Sequence, residues 1–328
     1  MLLLGDVHFS WSGSCGSQRS GRHSREPVAD TDAVHLYLDR FLSSGSSERP
    51  VDVFLESKTL EAPFSALVQK LRDMVGAVRP AHGPLHRTFL FFHERGCLSS
   101  DKTVCEHRYP HGRVHFVDRR DSQLGSFFKK FYDRMARTVE ARDRSAADLR
   151  RAFSSLKSFL ADYPTVSRAC DAVRLQVNSD ANKANKQVAG IQEPSAREAV
   201  SRWLTAHLRD IKREYRKPYE RAVAELGPVC ERSSTPRAMF GWFAHAHALV
   251  DVFMFAGIVE MDVYAMGRLL RSFSDGSRPE RSVVYAGDAH IQAYEKLLTD
   301  LGWHPVGTVK HSDLRCLSMR GVPKIFCI

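Results

Sequence analysis

No Cys-x-x-C pair occurs in this chain, and its seven cysteines, Cys15, Cys97, Cys105, Cys170, Cys230, Cys316 and Cys327, form an odd and scattered set. That excludes a disulfide-dense secreted scaffold, and the expectation is reduced thiols in a cytosol-like compartment. Cys97, Cys105 and His107 lie close in sequence, but their spacing matches no strong zinc pattern, so ordinary loop thiols are the simpler reading. An uncharged run long enough for a membrane span is also lacking. The longest apolar tract, 246–266, carries Asp251, Glu260 and Asp262 and reads as a buried helix. The apolar start is interrupted at once by Asp6 and His8 and has no basic flank, so no signal peptide and a cytoplasmic location are expected. Repeats with a period of 20–50 residues are absent, which excludes a solenoid.

What is present is globular composition: 43% hydrophobic and 26% charged residues over a length of 328. A chain of this size can bury a sizeable core unaided. The net charge is +10, and arginine (35) far outnumbers lysine (13). Basic residues crowd the middle third, with Lys129, Lys130, Arg134, Arg137, Arg209, Lys212, Arg213, Arg216 and Lys217 among them. Acids interleave them, including Asp133, Glu140, Asp210, Glu214 and Glu220. The ordinary reading is a solvated helix surface with i,i+4 pairs, and a basic nucleic-acid-binding or virion structural protein is the non-enzymatic alternative.

Short apolar runs at 2–4, 51–55, 88–92, 113–120, 283–286, 306–309 and 323–327 read as strands. Helices are expected from residue 30 or 31 to 42, over 63–78, through most of 124–224, over 239–274 with a break near Gly257, and over 292–301. Residues 9–27, 43–50, 178–187 and 227–236 read as loops. Strands and helices alternate at both ends and a helical block lies between them. The fold expected is therefore α/β, with a mostly parallel central sheet built from the N- and C-terminal segments and a large helical insertion. Residues 1–122 and 239–328 would supply the two parts of the core, and 123–238 the insertion.

One short pattern occurs twice. Gly5-Asp6-Val7-His8 follows the first strand and Gly287-Asp288-Ala289-His290 follows the strand at 283–286. Ligands of open α/β sheets bind beyond the C-terminal strand ends, and glycine lets the chain turn sharply there. Neighbouring strands would bring His8 and His290 into one site although they are 282 residues apart. Glu56 has the same placement after 51–55. Asp118, Arg119 and Arg120 end the run that starts at 113, with Val114, Phe116, Asp118 and Arg120 on one face and His115, Val117 and Arg119 on the other.

Two imidazoles and a carboxylate suit a divalent metal such as Mn²⁺, Co²⁺ or Zn²⁺. In that reading His8, Glu56, His290 and Asp288 are candidate metal ligands. His8, Glu56, His290 and Arg120 are candidate catalytic groups. Asp6, Asp118, Arg119 and Arg120 are candidates for holding an unknown small-molecule or peptide substrate.

The paired Gly-x-x-His motifs, the strand-end Glu56 and an arginine near the end of a later strand resemble the erythromycin esterase/ChaN/TraB–Tiki superfamily. That resemblance implies a pocket built from His8, Glu56, His290 and Arg120 or Arg119, in a superfamily of metal-dependent proteases, ester hydrolases and a haem-binding protein. Residues 113–120, 260–270 and 283–298 also resemble uncharacterised proteins of large nucleocytoplasmic DNA viruses, which implies host cytoplasm or virion as the location. The start Asp6-Val7-His8 is shared with calcineurin-like metallophosphoesterases. That alternative needs a Gly-Asp-x-x-Asp and a Gly-Asn-His motif, and here Ile291 stands where the second Asp belongs and no Gly-Asn-His occurs.

Overall fold

The computed structural model describes residues 1–6, 34–56, 84–97, 103–117, 127–141, 145–232, 236–303 and 307–309. Within them five short apolar stretches form strands: β1 (Leu2–Asp6), β2 (Val51–Leu55), β3 (Gly112–Phe116), β4 (Arg281–Gly287) and β5 (Gly307–Val309). They pair in one sheet of order β3–β2–β4–β1–β5, and every pairing is parallel. The first and last parts of the chain thus interleave. β1 lies against β4 with Leu2 opposite Val283 and Asp6 opposite Gly287, which makes the two Gly-Asp motifs neighbours at the C-terminal ends of these central strands.

Parallel strands are buried on both faces, and the alternation of side chains divides this core in two. Leu2, Leu4, Val51, Val53, Leu55, Val283 and Tyr285 point to one side. There they meet α1 (Val34–Ser43), α2 (Pro84–Glu94) and α3 (Thr103–Arg108), through Leu38, Phe41, Phe92 and Tyr109. Leu3, Phe54, Val284 and Ala286 point to the other side, into the larger core of the helical part.

That part contains α4 (Phe127–Ala141), α5 (Ala146–Ala161), α6 (Val166–Val177), α7 (Lys183–Ala189), α8 (Pro194–Arg232), α9 (Pro236–Leu270) and α10 (Asp288–Asp300). Side-chain caps start several of them: Ser145 for α5, Thr165 for α6 and Asn182 for α7 each accept a backbone N–H of the first turn. α8 buries one stripe, Val200, Leu204, Leu208, Ile211, Tyr219, Ala222 and Leu226, and turns its charges outward. Its exposed arginines pair along the helix as the interleaved charges suggest, with Arg202–Glu198, Arg213–Asp210 and Arg221–Glu225 in contact. α9 is largely apolar, interrupted by Asp251, Glu260 and Asp262, and as the central helix it packs against α4, α6, α7 and α8. α7 comes so close to it that a side chain at Gly267 would meet Gln187 Cβ at 2.8 Å and Val188 N at 2.9 Å.

Several expected boundaries differ. Residues 88–92 are not a strand but the middle of α2: Thr88, Phe89 and Phe92 are buried and Leu90 is exposed, a helical rather than an alternating pattern. The loop expected over 178–187 contains the start of α7, because Asn182 caps it. The helix expected to end by 224 runs to Arg232 with Pro218 and Pro228 inside it, and α9 is continuous through Gly257.

Cys97 and Cys105 form a disulfide between the end of α2 and the start of α3, with Cα atoms 4.8 Å apart. The expectation of reduced thiols therefore fails for this pair, as does the metal-ligand alternative, since each sulfur is bonded to the other and His107 is exposed. Cys170 is free and buried. The helix expected over 63–78 and the strand over 323–327 lie outside the described residues. Among the described residues no helix is long and apolar enough to cross a membrane.

Candidate functional site

β2 carries Asp52, Phe54 and Glu56 on the face that looks into the helical part. Glu56 stands at the C-terminal end. Its backbone N–H donates to Tyr285 O at 2.9 Å, prolonging the pairing with β4 by one residue. Its side chain then turns toward β4, and Oε2 accepts the N–H of Gly287 at 2.7 Å. Gly287 is the N-cap of α10 and has no side chain to serve its own helix. The Glu56 carboxylate sits there, where the positive end of the helix dipole favours an anion.

His290 lies in the first turn of α10 and faces the same place. Its Nε2 is 3.5 Å from Glu56 Oε1. Its Nδ1 is 2.6 Å from Asp262 Oδ1, and Tyr294, one turn further along α10, donates its O–H to the same oxygen at 2.5 Å. Glu56, His290, Asp262 and Tyr294 are all buried, at 0%, 4%, 1% and 0% exposure, so these charges are met by one another rather than by water. Three elements that are far apart in sequence thus build one acid–imidazole–acid row: the end of β2, the start of α10 and the middle of α9.

Of the sequence-predicted residues, Glu56 and His290 come together, and Glu56 also accepts the amide of Gly287, 231 positions away in the same motif as His290. The backbones of Asp6 and Asp288 lie at the ends of β1 and β4, beside this place, while their side chains fall outside the described set. His8, Asp118, Arg119 and Arg120 lie outside the described residues. Asp262 and Tyr294 are the residues that sequence reasoning missed. Asp262 is visible in the sequence only as a charge interrupting an apolar tract. Its burial in the central helix is the signal that such a charge has a dedicated partner. Among the described residues no three His, Cys, Asp or Glu side chains are grouped to hold a metal ion.

A second polar cluster is built on the same face of β2 and β3. Asp52, wholly buried, receives Arg113 in a two-pronged contact (2.8 and 3.0 Å) and His115 Nε2 at 2.7 Å. His115 Nδ1 in turn accepts from Arg268 Nε at 3.1 Å, which fixes the ring as the Nε2–H form. The ring is held between Phe54 and Phe273. Burial pushes the His115 imidazole down to about 4, against its hydrogen bond to Asp52, and Arg268 and Arg113 add to the depression. A fourth buried acid, Glu260, is met by Asn182 at 2.7 Å and Gln176 at 3.1 Å, and burial pushes it up to about 7.

No protein-family model matches the chain, and no curated protein or solved structure matches it either.

Proposed function

We propose that the strand-end cluster is the core of a metal-assisted hydrolase, with Glu56 and His290 as two ligands of one divalent cation. The observation that carries this is the pairing of Glu56 Oε1 with His290 Nε2 at 3.5 Å, where strand ends converge. Two donors on one tetrahedral ion, each about 2.0–2.1 Å from it, stand about 3.4 Å apart. The far nitrogen of His290 meets a carboxylate, as it does in most metal-bound histidines. Such donors suit Zn²⁺, Mn²⁺ or Co²⁺.

Further donors would come from His8, Asp288 or Asp6 in the neighbouring motif. A cation held there would acidify a bound water at neutral pH. Arg120 or Arg119 would hold an anionic part of the substrate, an ester or a peptide in the first instance, and Asp118 would orient that arginine. The resemblance to the erythromycin esterase/ChaN/TraB–Tiki superfamily supports the same assignment.

Calorimetry with Mn²⁺, Co²⁺ and Zn²⁺ on chelator-treated protein tests it. Wild type is expected to bind at least one of them at a single site, and Glu56→Gln and His290→Ala to lose that binding while remaining folded. A folded wild type that binds none of the three overturns the metal. Hydrolysis of ester, peptide and phosphate substrates then tells which bond is cleaved.

A further inference from the structure

We propose that Asp262 is a positioning residue for His290: it holds the ring as the Nδ1–H form, so that the Nε2 lone pair is the one presented toward Glu56. The role rests on the reading of the strand-end cluster as a catalytic site, and it adds a residue from a different part of the fold. Three observations carry it. Oδ1 of Asp262 lies 2.6 Å from His290 Nδ1, which makes the Nδ1–H the natural donor to a carboxylate. The same oxygen accepts the Tyr294 hydroxyl at 2.5 Å. Finally, Asp262 comes from α9, the central helix, where Val259, Met261, Val263 and Tyr264 beside it are all buried. A helix fixed by so large a core holds its carboxylate rigidly.

Tyr294 has a matching part. It is one turn from His290 on α10, so its hydroxyl and the imidazole reach Asp262 from the same helix. Sliding or rotating α10 relative to α9 would break both contacts together. Asp262 therefore couples the orientation of His290 to the docking of the helical part onto the sheet.

The test is ¹⁵N NMR of the histidine rings in the full chain, stripped of metal, at about pH 8, above the ordinary histidine range. The His290 signals are assigned by their loss in His290→Gln. In wild type, His290 is expected as a singly protonated Nδ1–H ring. A ring protonated at Nε2, or an even mixture of the two forms, overturns the proposal without any further variant. In Asp262→Leu, which keeps bulk but offers no acceptor, the Nδ1–H preference is expected to vanish. Its persistence in a folded Asp262→Leu also overturns the proposal. Tyr294→Phe leaves the carboxylate in place and is expected to keep the Nδ1–H form.

The second arm is affinity. If wild type binds Zn²⁺, Asp262→Leu is expected to weaken binding about 10–100-fold, and Tyr294→Phe less than that. Equal affinity in wild type and Asp262→Leu overturns the positioning role. If wild type binds no metal, the hydrolase reading fails, while the NMR result still decides what Asp262 does.

Discussion

Two histidines are buried on the same face of one parallel sheet, each within 2.7 Å of an aspartate, yet their surroundings are opposite. His115, on β3 opposite Phe54, has guanidinium groups beside it: Arg268 donates to its Nδ1 and Arg113 shares its aspartate. Both ring nitrogens are bound, both ring faces are covered by phenylalanines, and burial holds it neutral. His290, at the C-terminal end, has carboxylates on either side, Asp262 at Nδ1 and Glu56 facing Nε2.

A His–Asp contact on its own therefore marks nothing. The charge that faces the second nitrogen separates a structural histidine from one suited to a cation or a proton in transfer.

The largest contrast should come from removing each histidine or its acid. His290→Ala is expected to lower hydrolysis of whichever substrate the wild type accepts by about 10²–10⁴-fold, a loss read directly from initial rates. Asp52→Ala should do the reverse. It leaves Arg113 and His115 without their buried anion, and is expected to cost about 3–5 kcal/mol in urea unfolding while the rate per folded molecule is kept. Comparable rate losses in the two variants would erase the distinction between the two clusters.

Smaller effects sharpen the comparison through pH. His115 has a folded value of about 4, below its ordinary 6.5. The unfolded chain therefore binds the extra proton first, and stability falls as pH drops from about 6.5 toward 4. Glu260 runs the other way. Its folded value of about 7 lies above 4.5, so stability falls as pH rises from about 4.5 to 7. The two windows overlap and partly cancel in wild type.

His115→Gln is expected to remove the first slope. Glu260→Gln, which keeps an amide able to bond Asn182 and Gln176, is expected to remove the second and to raise stability above pH 7 by roughly 1–3 kcal/mol. Urea midpoints across that pH range read both. Unchanged slopes in either variant would mean that the group does not titrate with folding.

Much of the frame was legible in the sequence. Apolar runs ending in Gly-Asp or Glu fix β1, β2 and β4 because a buried parallel strand needs an unbroken apolar stretch and a turn after it. The same logic placed Glu56 and His290 at strand ends. It failed at 88–92, since Thr-Phe-Leu-Phe-Phe satisfies a buried strand and a helix equally, and only the exposure of Leu90 beside buried Phe89 and Phe92 separates them. It failed for Cys97 and Cys105, whose pairing depends on how α2 and α3 dock.

Local sequence thus determined β1, β2 and β4, their burial in a parallel sheet, and the placing of Glu56 and His290 beyond strand ends. Periodicity and turn chemistry act within a few residues and can be read there. The order of the strands, the partner of each buried charge and the difference between His115 and His290 were decided only by tertiary structure. Asp262 meets a ring 28 positions away and Arg268 one 153 positions away, and no local pattern encodes such contacts. They exist because a buried charge must find a counterpart wherever the packed helices happen to bring one.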